Sequence, residues 1–349
     1  MPAVDLTLLS GRPLRILAVK LSSFGDIIHA TGALRALRNA LPQAEIVLAV
    51  DRRWADVVRY NPNLHSLLES SSRDQVSLSY VGEIRRCISK AGRFDVAIDF
   101  QGNRRSAAWI YLSGAPIKLG RGGYRPGWQL AQQPDLNRHA VEVCADICRA
   151  AGVFAADFDP EIHTGLSDER CLDAFLDGAG IVRRGFVLIN PFSRWNSKRW
   201  PEQSAAELIR RLAESFEHPL VLTGGVEGRP RADRIANQLV PGKVISLAGR
   251  LPLGQALCLF RRARLMVSCD SGPMHAAAAF GVPVLALFGP TFPERTGPWG
   301  PNHRVLQAAR PPEHAAYRTD VEGTYMRALD TKTVFEAVAE QLSSEFASV

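Results

Sequence analysis

The amino-acid sequence predicts an α/β fold built as two doubly wound domains. Short apolar runs alternate with amphipathic helical stretches along almost the whole chain, and the same grammar occurs twice. The length of 349 residues, at roughly 100–200 per domain, holds two such units and crowds three. With 46% hydrophobic and 22% charged residues, the composition suits a folded chain with a sizeable core and excludes disorder for its bulk.

In the first half, strands are predicted at Arg15–Val19, Glu45–Val50, His65–Leu68 and Phe94–Ile98. Helices are predicted at Ile27–Arg38, Trp54–Tyr60, Val81–Ser89, Arg104–Leu112 and Ala140–Ala150. The second half gives strands at Phe186–Asn190, Leu220–Thr223, Val244–Leu247, Leu265–Ser268 and Val284–Phe288. Its helices are expected at Glu202–Ser215, Arg231–Leu239, Gly254–Arg262, Met274–Phe280 and Thr333–Glu345. Residues 153–168 lose the helical period and admit Pro160 and several acids, so the interdomain linker is expected there, with domains at 1–160 and 161–349. Two such domains leave a cleft between the carboxyl ends of their sheets, the edge at which open α/β sheets bind ligands.

Several function classes fall away. Asp5, Arg12, Arg15 and Lys20 interrupt every apolar run near the N-terminus, which is not a signal peptide. The charge-free stretch 271–292 is long enough to span a bilayer but carries Pro273, Pro283, Pro290 and three glycines, and reads as loop, helix, buried strand and loop of a soluble chain. Six cysteines without a CxxC pair argue for reduced, mostly buried thiols and against a zinc ribbon. Lys and Arg total 42 against 35 acids, and only six of them are lysine, so 36 are arginine. A GC-rich genome would give that bias, as would recognition of phosphate or carboxylate by forked guanidinium groups. The scatter of the arginines, without any nucleic-acid-binding pattern, argues against nucleic acid.

The chemistry sits in loops that follow predicted strands. Lys20-Leu21-Ser22-Ser23-Phe24-Gly25-Asp26 opens the first helix without the GxGxxG of a dinucleotide-binding turn, which speaks against an oxidoreductase. Its hydroxyls and carboxylate face the expected cleft, although N-capping alone also places Ser and Asp there. Asn190 to Pro201 (NPFSRWNSKRWP) crowds polar groups, cations and two tryptophans before a helix; Lys198 and Arg199 suit a diphosphate, and an exposed basic loop is the plain alternative. Ser268-Cys269-Asp270-Ser271-Gly272-Pro273-Met274-His275 turns from strand to helix with the positive end of a helix dipole beside Asp270 and His275, a ready anion site. Gly224-Gly225-Val226-Glu227-Gly228 offers a carboxylate for ribose hydroxyls, and the turn Phe288-Gly289-Pro290-Thr291 is compatible with a phosphate contact.

Taken together, SSFGDIIHATGALRALR, HAVE at 139–142, SKRWP, GGVEG and CDSGPMHAAAAFGVPVLALFGPT resemble the lipopolysaccharide heptosyltransferases, glycosyltransferase family 9, from about Arg15 to residue 310. The SSFGDIIH opening is most similar to the heptosyltransferase I branch. The resemblance implies a GT-B glycosyltransferase: two Rossmann-like doubly wound domains facing a central cleft, the first binding acceptor and the second ADP-sugar. It implies an enzyme that moves L-glycero-D-manno-heptose from ADP-heptose to the Kdo or inner core of lipopolysaccharide, with inversion and with no cofactor. No metal is expected at the diphosphate, and the sequence lacks a His/Cys cluster. Asp26 is implied as general base. Ser193 and Lys198 are implied at the diphosphate, Glu227 at the ribose, Leu251 at the adenine, Ser271 and Gly272 at the phosphates, and Asp270 and His275 at heptose and diphosphate.

The acceptor half matches less well. Arg52, Arg53, Arg104, Arg105, Arg121 and Arg125 suit Kdo carboxylates and lipid A phosphates, but ordinary solvated arginines explain them equally. Members usually carry Thr-Pro where this chain has Ala30-Thr31-Gly32. Partners implied are ADP-heptose, Kdo-lipid A or an inner-core acceptor, and the inner membrane, met peripherally from the cytoplasmic face. Two alternatives remain at this level: a transferase or epimerase for another nucleotide-activated sugar, and a non-catalytic nucleotide-sugar or glycolipid-binding protein.

Overall fold

The structure, a computed structural model, describes residues 4–9, 11, 13–71, 75–120, 135, 137–239, 242–310, 312 and 323–344. The chain divides into two compact units, Met1–His163 and Thr164–Val349. The first holds β1 (Arg15–Val19), α1 (Phe24–Ala40), β2 (Glu45–Asp51), β3 (Ser66–Ser70), α2 (Leu78–Ala91), β4 (Val96–Asp99), α3 (Arg104–Leu112), β5 (Ile117–Gly120) and α4 (Ala140–Arg149). Its strands pair in parallel in the order β3-β2-β1-β4-β5. The order reverses between β1 and β4, so the loops after these two strands meet at the carboxyl edge.

The central strands are long apolar runs because parallel sheets are covered on both faces; β1 and β2 are buried from their second residue onward. One face takes Tyr80 and Ile84 of α2 and Trp109 and Ile110 of α3 against Leu17, Val19, Val47 and Ala97. Helix α1 is enclosed too, with twelve of its seventeen residues buried. The Ala30-Thr31-Gly32 departure has a use in that enclosure. A Cβ on Gly32 would lie 1.9 Å from the Phe158 carbonyl oxygen, and the Thr31 hydroxyl accepts the Glu161 N–H at 2.8 Å. The segment after α4 is thus seated on α1.

The second unit holds α5 (Leu166–Gly178), β6 (Val187–Asn190), α6 (Glu202–Ser215), β7 (Leu220–Leu222), α7 (Arg229–Asn237), β8 (Val244–Ser246), α8 (Leu253–Arg261), β9 (Leu265–Cys269), α9 (Gly272–Ala279), β10 (Val284–Phe288), α10 (Pro293–Thr296), β11 (His303–Gln307), α11 (Thr324–Arg327) and α12 (Thr331–Ser344). The sheet is again parallel, ordered β11-β10-β9-β6-β7-β8, and reverses between β6 and β9. Its strands pack Val187, Ile189, Leu222, Val267 and Leu287 against Leu208 and Leu212 of α6, Ile235 of α7 and Val338 of α12.

Several elements depart from the sequence reading, α10 and α11 among them. β5 and β11 are short strands at the two sheet edges with too few apolar residues to show a pattern. α5 begins at Leu166, inside the segment read as linker, and buries only Leu172 and Leu176. The helix expected at Trp54–Tyr60 is a 3-10 helix at Arg52–Val57. Among the described residues no helix is long and apolar enough to cross a membrane, and the stretch 271–292 contains α9 and β10.

Ion pairs anchor α5: Arg262, 8% exposed, bonds both Glu169 and Asp173. Burial works to raise the Glu169 carboxyl, but bonds from Thr164 and Arg262 outweigh it and hold the group below its ordinary 4.5. The stabilisation is therefore complete above that ordinary value and is lost as pH falls through the lower folded value. Glu169→Gln is expected to cost about 1–3 kcal/mol in urea unfolding at pH 7, with a difference from wild type that shrinks toward pH 3; an equal cost at both pH values would contradict this account.

Candidate active site

In the second unit, five strand-to-helix or strand-to-turn loops collect at the carboxyl edge, and Asp270 joins three of them. It follows β9, is 6% exposed, and its Oδ2 accepts Lys198 Nζ at 2.7 Å from the loop after β6 and Thr291 Oγ1 at 2.7 Å from the loop after β10. Its backbone carbonyl accepts the Ser193 hydroxyl at 3.3 Å. Lys198 closes a 3-10 turn, Asn196–Lys198, that folds the loop inward, and its side chain is 15% exposed. Gln307 of β11 donates at 2.8 Å to the carbonyls of both Gly289 and Thr291 and so fixes the turn that carries the threonine.

Asn190, the last residue of β6, ties the same loops from beneath. Its Nδ2 donates to Ser268 Oγ at 3.2 Å and Ser271 Oγ at 2.8 Å, while its buried Oδ1 finds no hydrogen-bond partner among the described residues. Ser271 precedes α9 without capping it through its side chain, and the first turn of α9 holds no acid. The positive end of that helix is consequently not neutralised from within its own first turn, the arrangement that suits an anion. Gly272 is the first residue of α9, and His275, 7% exposed, lies one turn further on.

The Gly-Gly loop after β7 depends on missing side chains. Gly224 sits at φ +153°, and a Cβ there would press the Phe192 ring at 2.9 Å. Glu227 is exposed, with its carboxylate folded back over Gly225. Gly249 N–H donates to the Gly224 carbonyl at 2.9 Å, joining this loop to the one after β8 that carries half-buried Leu251. Burial, reinforced by the neighbouring Arg231 and opposed by Glu227, lowers the pKa of Arg199, whose Nε donates to the Ser193 carbonyl at 2.6 Å. Cys269 beside Asp270 is inert, its thiol pushed up to about 12 by burial.

The first unit brings Asp26 to the corresponding edge of its own sheet. Asp26 occupies the first turn of α1, half-buried, and its Oδ2 accepts both the Ser23 N–H at 3.0 Å and the Ser23 hydroxyl at 2.6 Å, a capping box. The loop after β4 braces this one: Gln101 Oε1 accepts the Ser22 N–H at 3.0 Å, and Lys20 Nζ donates to the Phe100 carbonyl at 3.0 Å. Buried Asp99 holds that brace by accepting from Gln101 N, Gly102 N and Ser106 Oγ, each at 2.9 Å. Of the six arginines singled out, Arg52, Arg53 and Arg104 are exposed. Arg105 is tucked inward, its Nη2 2.6 Å from the fully buried Asp51 and its guanidinium over the Tyr80 ring. Arg121 and Arg125 lie outside the described residues.

The comparisons with known proteins decide the family. Residues 85–326, more than half of the chain, match the profile of glycosyltransferase family 9 (heptosyltransferase). The chain belongs to glycosyltransferase family 9. It is 29% identical to lipopolysaccharide heptosyltransferase 1 of Pseudomonas aeruginosa, over 94% of this chain and 92% of that protein. Its fold is similar to that of a family 9 glycosyl transferase from Veillonella parvula, with a TM-score of 0.84, 25% identity and coverage of 95% and 98%. It is also similar to the Escherichia coli heptosyltransferase WaaC with ADP, at a TM-score of 0.74, 23% identity and coverage of 94% and 100%. The two parallel sheets are those of the GT-B fold, and this family member is a glycosyltransferase.

Asn190 opens the NPFSRWNSKRWP loop but has no role of its own in the sequence-derived site, and Gln307 has no place in it. Asn190 was visible as a polar residue ending an apolar strand; Gln307 ends an edge strand with no apolar signature. In this glycosyltransferase, Asn190→Ala would strip a buried donor from both Ser268 and Ser271. The expected cost is roughly 1–3 kcal/mol, read as a lowered thermal midpoint, and an unchanged midpoint would show that the serines repartner without it.

Proposed function

We propose that the protein transfers L-glycero-D-manno-heptose from ADP-heptose to the Kdo or inner-core region of lipopolysaccharide, inverting the anomeric centre, with Asp26 as general base. The observation that carries this reading is the convergence of Lys198, Asp270 and the Ser271–Gly272 helix start at the sheet reversal of a family 9 chain. The relative named lipopolysaccharide heptosyltransferase 1 and the WaaC structure holding ADP support the same donor and reaction.

In this reading Lys198 and the N–H groups at Ser271 and Gly272 meet the diphosphate, and Ser193 contacts it from the same loop as the lysine. Glu227 takes the ribose hydroxyls, Leu251 walls the adenine, and Asp270 and His275 line the heptose. Charge that develops on departing ADP is met by groups already in place, which is where preorganised electrostatics contribute most. No protein-held metal or other cofactor enters the proposal. Inverting transfer is a single in-line displacement through an oxocarbenium-like state, so the acceptor hydroxyl must attack opposite the leaving diphosphate and lose its proton as the new bond forms. Asp26 is the carboxylate proposed for that proton, held by Ser23 and braced through Ser22 and Gln101.

The acceptor is anionic and lipid-linked. Exposed Arg52, Arg53 and Arg104 are the proposed contacts to Kdo carboxylates and lipid A phosphates, and Arg105 supports them by pinning Asp51, the residue before Arg52. A lipid acceptor places the enzyme in peripheral contact with the cytoplasmic face of the inner membrane.

Asp26→Asn keeps the shape of the capping box but removes the base. Turnover of ADP-heptose on truncated core acceptors, followed by mass spectrometry, is expected to fall by about 10²–10⁴-fold, with ADP-heptose affinity within about twofold of wild type; near-wild-type turnover would remove Asp26 from its role. For the donor, ADP at saturating concentration should raise the thermal midpoint and UDP should not. Equal stabilisation by both would favour an enzyme for another nucleotide sugar.

A further inference from the structure

We infer that Thr291 and Gln307 are positioning residues of the donor site: they hold the Asp270 carboxylate in place so that Lys198 can leave it for a diphosphate. The inference rests on the reading of Lys198 as the cation that meets the donor diphosphate, and extends it to two residues on the β10–β11 side of the sheet.

Thr291 is 8% exposed, and its hydroxyl donates at 2.7 Å to the same Asp270 oxygen that receives the lysine. A hydroxyl so engaged has its proton committed to the carboxylate, so the threonine acts on the site through Asp270. Gln307 then sets the threonine: one Nε2 donates at 2.8 Å to the carbonyls on either side of Pro290, Gly289 and Thr291. The order of influence runs from the edge strand inward, Gln307 to Thr291 to Asp270 to Lys198.

The physical consequence concerns competition for the ammonium. Asp270 is almost wholly buried, and a buried carboxylate needs donors to replace its lost water. With Thr291 present, one neutral donor stays when Lys198 swings toward a phosphate, so the carboxylate is not left bare. Without it, the lysine is the sole side-chain donor to Oδ2 among the described residues, and a diphosphate must pull it from a stripped buried charge. The threonine thereby lowers the cost of handing the cation to the nucleotide. The backbone carbonyl of Asp270, held by Ser193, keeps the residue from following the lysine.

The test is calorimetric titration of the full chain with ADP and with AMP, which lacks the second phosphate. Thr291→Val is expected to weaken ADP about tenfold, the size of a lost hydrogen bond to a charged group, to leave AMP within about twofold, and to be restored by Thr291→Ser. Gln307→Leu, which leaves the threonine side chain intact, is expected to weaken ADP about threefold with AMP again unmoved. ADP binding unchanged in both variants overturns the inference. So does equal weakening of ADP and AMP, which marks a merely structural role, or a failure of Thr291→Ser to restore binding. Lys198→Ala separates the two levels. If it binds ADP like wild type, the reading of Lys198 itself fails; if it loses ADP while Thr291→Val keeps it, the inference alone fails.

Discussion

The ion pair between Lys198 and Asp270 is the constraint around which the second unit arranges its loops. Removing two charges from water costs several kcal/mol each, and their mutual attraction repays this only when further hydrogen bonds complete the arrangement. Here the carboxylate recovers its losses from Lys198 and Thr291, and the backbone of the same residue receives Ser193. Three loops from three strands therefore have to arrive together, which is what the reversal of strand order between β6 and β9 permits. A buried pair of this kind is weak evidence for stability, since apolar residues of similar volume often serve as well. In the proposed reading its sense is functional: it holds a cation beside a helix start for the donor diphosphate.

The two units apply one topological device to opposite chemistry. In each, the loops at the reversal of strand order are fastened by side-chain bonds across the gap: Gln101 to Ser22 in the first, Asn190 to Ser268 and Ser271 in the second. The helices that begin there differ in who answers the dipole. α1 carries Asp26 in its first turn, bonded back to its own N-cap residue, so its positive end is already met by a carboxylate. α9 has no acid in its first turn and no side-chain cap. The first unit thus ends its helix start in a carboxylate, and the second leaves its helix start without one.

The strands of both sheets were readable because parallel strands are covered on both faces and so become uninterrupted apolar runs, and α3 was read to the residue, Arg104–Leu112. The elements that escaped are those whose burial is thin. β11 reads HRVLQ with an exposed middle, β5 is four residues at an edge, and α5 shows two buried leucines among acids that look like linker. For the site, the DSGPMH and SKRWP loops stood out because polar residues crowd directly behind apolar strands. What no local pattern contains is pairing at long range: Lys198 meets Asp270 across 72 residues, and Thr291, which looked compatible with phosphate, spends its hydroxyl on Asp270. Arg104 and Arg105 are equivalent as letters, but a step of about 100° around a helix leaves one in solvent and turns the other onto buried Asp51.

The choice of lysine at position 198 runs against the composition of the chain, in which arginine outnumbers lysine by 36 to six. Arginine is the better partner where a carboxylate must be gripped for good, because its planar fork binds in two places at once. The Arg262 guanidinium does this structural work, bridging Glu169 and Asp173 to hold α5. An ammonium is a compact point charge on a flexible stem, and it can leave one oxygen for another by rotating a few bonds. Lys20, the other lysine at a point of strand reversal, is buried at 3% exposure and fixed on the Phe100 carbonyl, where no exchange is called for. At 198 the ammonium shares its carboxylate oxygen with the Thr291 hydroxyl, and in the proposed reading it is this sharing that lets the cation change partners.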